Sequence, residues 1–216
     1  MPRRTYVGRV VPKNAFDTYI NTNQKKWFTD YVLRISWLNK LSVETINLKG
    51  IDVQEIQLFQ IELKIREKIP KVTEIIDKAI PYHIIMIVRY EDEYYLTTSA
   101  KHSHTTNEHV AVIDRTFSSD WENLKDFTYF LNLEKDLDFV HKYFCLQLEN
   151  RLDFEEQSME NIIEFFAKKS RLEKEVQALE NKVKKARQFN RKVELNRDLI
   201  EARKELESLK STHQPP

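Results

Sequence analysis

Apolar residues recur at steps of three and four through residues 24–40, where Trp27, Phe28, Tyr31, Ile35 and Leu38 fall on one side of a helix and Trp37 widens that face. The spacing predicts a single helix there. The period then changes: "TINLKGIDVQEIQLFQIELKI" is dominated by β-branched and apolar residues, with Gly50 to turn the chain, and predicts a hairpin or two successive strands closed by Pro70. From Lys71, "KVTEIIDKAI" restores helical spacing through Val72, Ile75, Ile76 and Ala79 until Pro81 stops it. The continuous apolar run "HIIMIVRY" reads as a strand covered on both faces. After "EDE", "YYLTTSAK" reads as another strand, and "HVAVID" as a third beyond the polar loop "HSHTTNE". Leu137, Val140, Phe144 and Leu148 mark an amphipathic helix within 134–150. Helices alternating with strands imply an α/β or α+β fold, a mixed sheet with packed helices, over a core of residues 12–150.

Beyond residue 150 the composition shifts to Glu, Lys, Arg and Leu. Leu172, Val176, Leu179, Val183 and Ala186 alternate steps of four and three, a heptad seam, and Leu199, Ala202, Leu206 and Leu209 form a second one. The two are out of phase, because from Ala186 the apolar positions pass to Phe189 and Val193. No glycine or proline interrupts residues 158–211. As one helix, Leu172 to Lys210 spans roughly 60 Å. Such a helix cannot bury its seam alone, so it pairs with a partner or folds back on itself. The expectation is a C-terminal helical or coiled-coil arm over 155–211. Its partner-binding residues are Leu172, Val176, Leu179, Val183, Leu199, Leu206 and Leu209, set against another protein or a second copy of the chain.

Charge sharpens one part of this picture. The 216 residues carry 35 basic and 34 acidic side chains, a net charge of +1, which gives no global pull toward nucleic acid or membrane. Between Lys182 and Lys192, however, lie six basic residues and no acid. On a helix Lys184, Arg187 and Arg191 share a face, with Lys185 and Lys192 adjoining, so a stripe suited to phosphates is available. A solvated or partner-facing helix is the plainer account, since acids resume at Glu194, and Phe189 is expected to be buried at the phase change rather than stacked on a base. No apolar stretch approaches the ~20 residues needed to cross a bilayer and no signal-peptide core follows the basic N-terminus. With a single cysteine, Cys145, ruling out an internal disulfide, this points to a soluble cytoplasmic protein without membrane contact.

The candidate chemistry is sparse. Two glycines, Gly8 and Gly50, exclude phosphate-binding loops built on glycine clusters, and with them Walker-type and dinucleotide-cofactor enzymes. Glu62-Leu63-Lys64 on a predicted strand, ten residues after Asp52, fits the acid-then-acid-x-lysine pattern of PD-(D/E)XK nucleases. In those, two carboxylates hold Mg²⁺ and lysine supports the attacking water. An exposed strand face accounts for the same residues. His102, His104 and His109, with Glu108 and Asp114, supply metal-ligand types but no recognised ligand spacing, and are read as a solvated loop with no metal assigned. Cys145, between Phe144 and Leu148, reads as core, and no Gly-x-Ser-x-Gly elbow occurs.

"ETINLKG", "VQEIQLFQIELK", "IIDKAIPYHIIMIVRY" and "QFNRKVELNRDLIEARKELESL" resemble the bacterial domain of unknown function 4391 family from about residue 12 onward, most distinctively at "IDKAIPY" and "QFNRKVELN". The stretch "SAKHSHTTNEHVAVIDRTFSSDW" departs from the family and supports no transfer. The resemblance implies a genomic setting beside helicases and DNA methyltransferases in prokaryotic restriction or defence clusters. The expected function is a noncatalytic accessory subunit that needs no cofactor, docks a helicase or methyltransferase, and contacts DNA or RNA. A Mg²⁺-dependent nuclease acting through Asp52, Glu62 and Lys64 is the alternative, and a self-associating structural protein a third reading.

Overall fold

The computed structural model describes residues 1–104 and 107–211, with side chains throughout except at 103–110. The chain divides into two compact units, Met1–Leu152 and Asp153–Pro216.

The first unit is a sheet with helices on both faces. Helix α1, Thr22–Tyr31, begins in a capping box between Asn21 and Gln24. It ends where Val32 turns extended, and strand β2, Val32–Ser42, follows without a loop. The apolar spacing over 24–40 is thus shared between a helix and a strand. Pairing decides this: β2 is matched to strand β3, Glu55–Leu63, from Val32↔Leu63 to Ser42↔Glu55. Its β-branched Val32 and Ile35 are fully buried there.

The predicted hairpin before β3 is also replaced. Ser42 and Thr45 cap a helical turn, α2, Val43–Ile46, closed by left-handed Asn47. Gly50 then makes a turn so tight that a Cβ would meet the Val53 carbonyl oxygen at 2.1 Å. Pro70 opens helix α3, Ile69–Ala79, instead of closing a strand.

Strands β1 (Tyr6–Val10), β2, β3, β4 (His83–Tyr90), β5 (Glu93–His104) and β6 (Asn107–Ser118) lie side by side in chain order, and a short β7, Glu122–Asn123, pairs with β5. β1 precedes the expected core boundary at residue 12. Every described neighbour is antiparallel except β3 and β4, which α3 joins as a crossover. α3 buries Ile69, Val72, Ile75, Ile76 and Ala79 against Phe59, Ile61, Leu63, Ile84, Met86 and Val88, one face of β3 and β4. Alternation sends His83 to the other face, where its ring meets His141 of helix α4, Leu137–Leu148. α4 is tied to the Gly50 turn by Asp138, whose carboxylate accepts the backbone N–H groups of Ile51, Asp52 and Val53 at 2.6, 3.0 and 2.8 Å.

The second unit is a helical hairpin. Helix α5, Met159–Lys185, is capped by Ser158, whose hydroxyl accepts from the Asn161 N–H. The helix stops at Ala186, which turns extended, and helix α6, Phe189–Ser211, returns along it. One continuous helix of roughly 60 Å does not form. The phase change between the two heptad seams is the bend itself: Val176, Leu179, Val183 and Ala186 pack against Leu195, Leu199 and Ala202. Ion pairs Glu180–Arg203 (2.7 Å) and Lys168–Glu205 (3.1 Å) bracket that seam.

Candidate functional site

β3 separates the residues of the nuclease pattern. Asp52 sits in the loop before the strand and Glu62 near its far end, and from Glu55 to Glu62 alone, at about 3.3 Å per residue, the chain runs roughly 23 Å. Asp52 is exposed, with its backbone held by Asp138. Glu62 lies directly between Arg34 on β2 and Arg89 on β4 and accepts from Gln60 Nε2 at 3.0 Å. Lys64 donates to the Thr29 carbonyl at 2.7 Å, and Lys13 donates to the Val32 carbonyl, so both ammoniums close the C-terminal end of α1. Burial, and then the charge of Lys64, hold Lys13 below the usual lysine range. Asp52, Glu62 and Lys64 therefore share no site.

Of the histidine group, His102 pairs through Nδ1 with Asp114 Oδ2 at 2.9 Å on an exposed strand face. His104, Glu108 and His109 fall outside the described side chains. Among the described residues no three His, Cys, Asp or Glu side chains gather as metal ligands.

Two buried polar clusters have no signature in the sequence, because they join residues far apart in the chain. On the α4 face the His83 and His141 rings meet edge to face with centroids 4.5 Å apart. The Thr98 hydroxyl gives its one proton to the Ile84 carbonyl at 2.8 Å, so it accepts from His141 Nε2 at 3.0 Å, which makes Nε2 the protonated nitrogen. Burial foremost, then the charge of Lys101, lowers His83 to about 4. Burial lowers His141 well below the usual histidine range and raises the enclosed Cys145 thiol. Both imidazoles are neutral and the thiol is protonated, which suits packing and not nucleophilic or acid–base chemistry.

On the α3 face, Lys101 spends its three protons on Asp77 Oδ1 (2.7 Å), the Asp77 carbonyl (2.8 Å) and the Ile80 carbonyl (2.9 Å), closing the end of α3. A cavity of about 290 Å³ lies alongside, lined in part by Thr73, Thr97, Ser99 and Thr116. These hydroxyls bond within the protein: Ser99 to Thr116, Thr97 to the Phe117 carbonyl and Thr73 to the Ile69 carbonyl.

The basic stretch is different in kind. Lys182, Lys184 and Lys185 occupy the last turn of α5, Arg187 the bend, and Arg191 and Lys192 the first turn of α6, all exposed. The helix-face geometry expected for Lys184, Arg187 and Arg191 does not hold, because the bend falls between them. The turn gathers the six cations at one end of the hairpin instead. Phe189 stands among them 79% exposed, not buried at the phase change. Among the described residues, Arg191 alone of the six has an acidic partner, Glu194 at 2.9 Å, itself exposed. A dense positive tip with a projecting aromatic ring is fit to neutralise phosphates and stack on a base.

The partner-binding set sits mostly inside the hairpin. Leu172, Leu179 and Leu199 are buried, while Val176, Val183, Leu206 and Leu209 are half-buried. Among the described residues no helix is long and apolar enough to cross a membrane. A family model described as a domain of unknown function, DUF4391, matches residues 1–206. No curated protein and no solved structure matches the chain.

Proposed function

The chain belongs to the DUF4391 family, and from that membership we propose that it is a noncatalytic accessory subunit of a DNA-directed defence or restriction system in the cytoplasm. It docks a helicase or methyltransferase and touches nucleic-acid phosphates through the tip of its helical hairpin. One observation carries the reading: six exposed cations and an exposed Phe189 converge at the tip, in a chain whose net charge is only +1. The divergence of Asp52, Glu62 and Lys64, and the neutral, enclosed state of His83, His141 and Cys145, support a role without catalysis.

So small a cluster gives secondary contacts within an assembly, not tight binding alone. Three to five engaged cations correspond to a slope of about −2.7 to −4.5 in log affinity against log salt on duplex DNA. Changing Lys184, Lys185, Arg187 and Arg191 to Glu is expected to weaken oligonucleotide binding by the complex and flatten that slope, with the subunits still assembled. The assay is fluorescence anisotropy across a salt series, with light scattering on the same samples. If the complex disperses while the other subunits keep their nucleic-acid affinity, the tip is a protein docking face and the reading fails.

A further inference from the structure

Helix α6 is apolar on two faces, and among the described residues only one of them is packed against another element. Leu195, Leu199 and Ala202 line the inside of the hairpin. Phe189, Val193 and Ile200 fall within about 40° of one another, on average about 130° round the helix from that inner face, at about 100° per residue. They are 79%, 52% and 67% exposed. With Asn196 between them they form a continuous stripe about 16 Å long.

The flanks of the stripe are basic. Lys192 borders it on one side and Arg197 and Lys204 on the other, all exposed and without an ion-pair partner among the described residues. Arg203 also lies on the Lys192 side but is committed to Glu180. The acids Glu194, Asp198, Glu201 and Glu205 are turned about 100° or more away. Glu207 alone shares the line of the stripe, two turns beyond Ile200. Solitary exposed apolar side chains are ordinary on a protein surface; three on one helical line, bordered by unpaired cations, form a recognition surface.

We propose that this outer face of α6 docks an amphipathic helix of a partner protein, one with an apolar seam flanked by glutamate or aspartate. Charge complementarity chooses the occupant. A second copy applied through the same face would set Lys192, Arg197 and Lys204 against their own kind, and a nucleic acid would leave Val193 and Ile200 without apolar contacts. The surface gives the accessory-subunit reading its docking partner; it shares Phe189 and Lys192 with the tip but runs on through Val193 and Ile200, and it is at those two residues that it is tested separately.

The probe is a fluorescein-labelled synthetic helical peptide of about 15 residues, with leucines at i, i+3, i+4 and i+7 and glutamates elsewhere, titrated with the full chain. The control peptide has lysines in place of the glutamates. The acidic peptide is expected to bind, and Val193→Ser with Ile200→Ser to weaken it by about tenfold or more. Both sites are exposed, so circular dichroism should show an unchanged helical signal. Arg197→Glu with Lys204→Glu should reverse the preference toward the lysine peptide. Lys184→Gln with Arg187→Gln, at the tip, should leave peptide affinity within about threefold at ~0.15 M salt, where screening acts over roughly 8 Å.

Equal binding of the two peptides, or indifference to the Val193 and Ile200 changes, overturns the proposal. So does a dimer in light scattering that the same two changes convert to monomer, since a second copy then occupies the stripe. Displacement of the peptide by a duplex oligonucleotide whose own binding depends on Val193 and Ile200 assigns the stripe to nucleic acid and overturns it equally. Oligonucleotide binding that the Lys184, Lys185, Arg187 and Arg191 changes leave intact counts against the tip alone and leaves the stripe standing.

Discussion

The burial of His83 makes the sheet unit acid-sensitive, by an amount that follows from its lowered pKa. His83 is 8% exposed and its folded pKa is lowered from 6.5 to about 4. The unfolded chain therefore binds the proton more readily than the folded one. The stability contributed by the neutral ring is present at neutral pH, falls as pH drops below about 6.5, and is fully lost below about 4. A shift of this size amounts to about 3 kcal/mol overall, of which about 2 kcal/mol is lost between pH 7 and pH 5. His83→Phe preserves the edge contact with His141 and removes the titration. Urea unfolding followed by tryptophan emission is the suitable assay, because Trp27, Trp37 and Trp121 all lie in the Met1–Leu152 unit. Carboxylates titrate in parent and variant alike, so the difference between them isolates the ring. The variant is expected to lose about 2 kcal/mol less than the parent between pH 7 and pH 5. Equal losses would mean that His83 is not held neutral in the fold, and the reasoning from its burial would be refuted.

Lys101→Met leaves the Asp77 carboxylate buried without its ammonium and strips the end of α3 of its closing donor. A loss of about 3–5 kcal/mol is expected in the same urea assay, and a variant within about 1 kcal/mol of the parent would show that the pair is expendable. Asp138→Ala releases three backbone N–H groups of the Gly50 turn, two of them on exposed residues that water can satisfy. The cost should be about 1–3 kcal/mol, with faster amide exchange at Ile51, Asp52 and Val53; unchanged exchange there would separate the loop from α4.

What the sequence made legible follows local periodicity. α3, β4, β5, β6 and α4 each carry their own pattern, with turn or proline signals between them, and each forms near its expected place. α1 and β2 were merged, because apolar residues at three- and four-residue spacing satisfy a helix and a strand almost equally over so short a run, and no glycine or proline marks Val32. The deciding factor, pairing with β3, lies far along the chain: Val32 is matched to Leu63. β1 has little apolar alternation and an exposed outer edge, so it is a strand only because β2 is beside it. The polar clusters were out of reach for the same reason: His83 and His141, or Asp77 and Lys101, meet through topology and not through spacing.

The basic stretch shows how a local signal is read correctly in composition and wrongly in geometry. Six cations in eleven residues were visible, but their arrangement depends on the bend at Ala186, which only the change of heptad phase announced. The bend also decides their energetics. Lys182, Lys184 and Lys185 sit at the C-terminus of α5, where cations are favoured by the helix dipole. Arg191 and Lys192 sit in the first turn of α6, where the dipole opposes them by about 0.3–1 kcal/mol each. No acid lies in that turn to offset the field, and the Arg191–Glu194 pair is exposed and worth little. In the free chain the first turn of α6 is thus charged against its own stability. A phosphate placed at the tip reverses the sign of that interaction, because it meets the cations, the α6 N–H groups and the positive end of the dipole together.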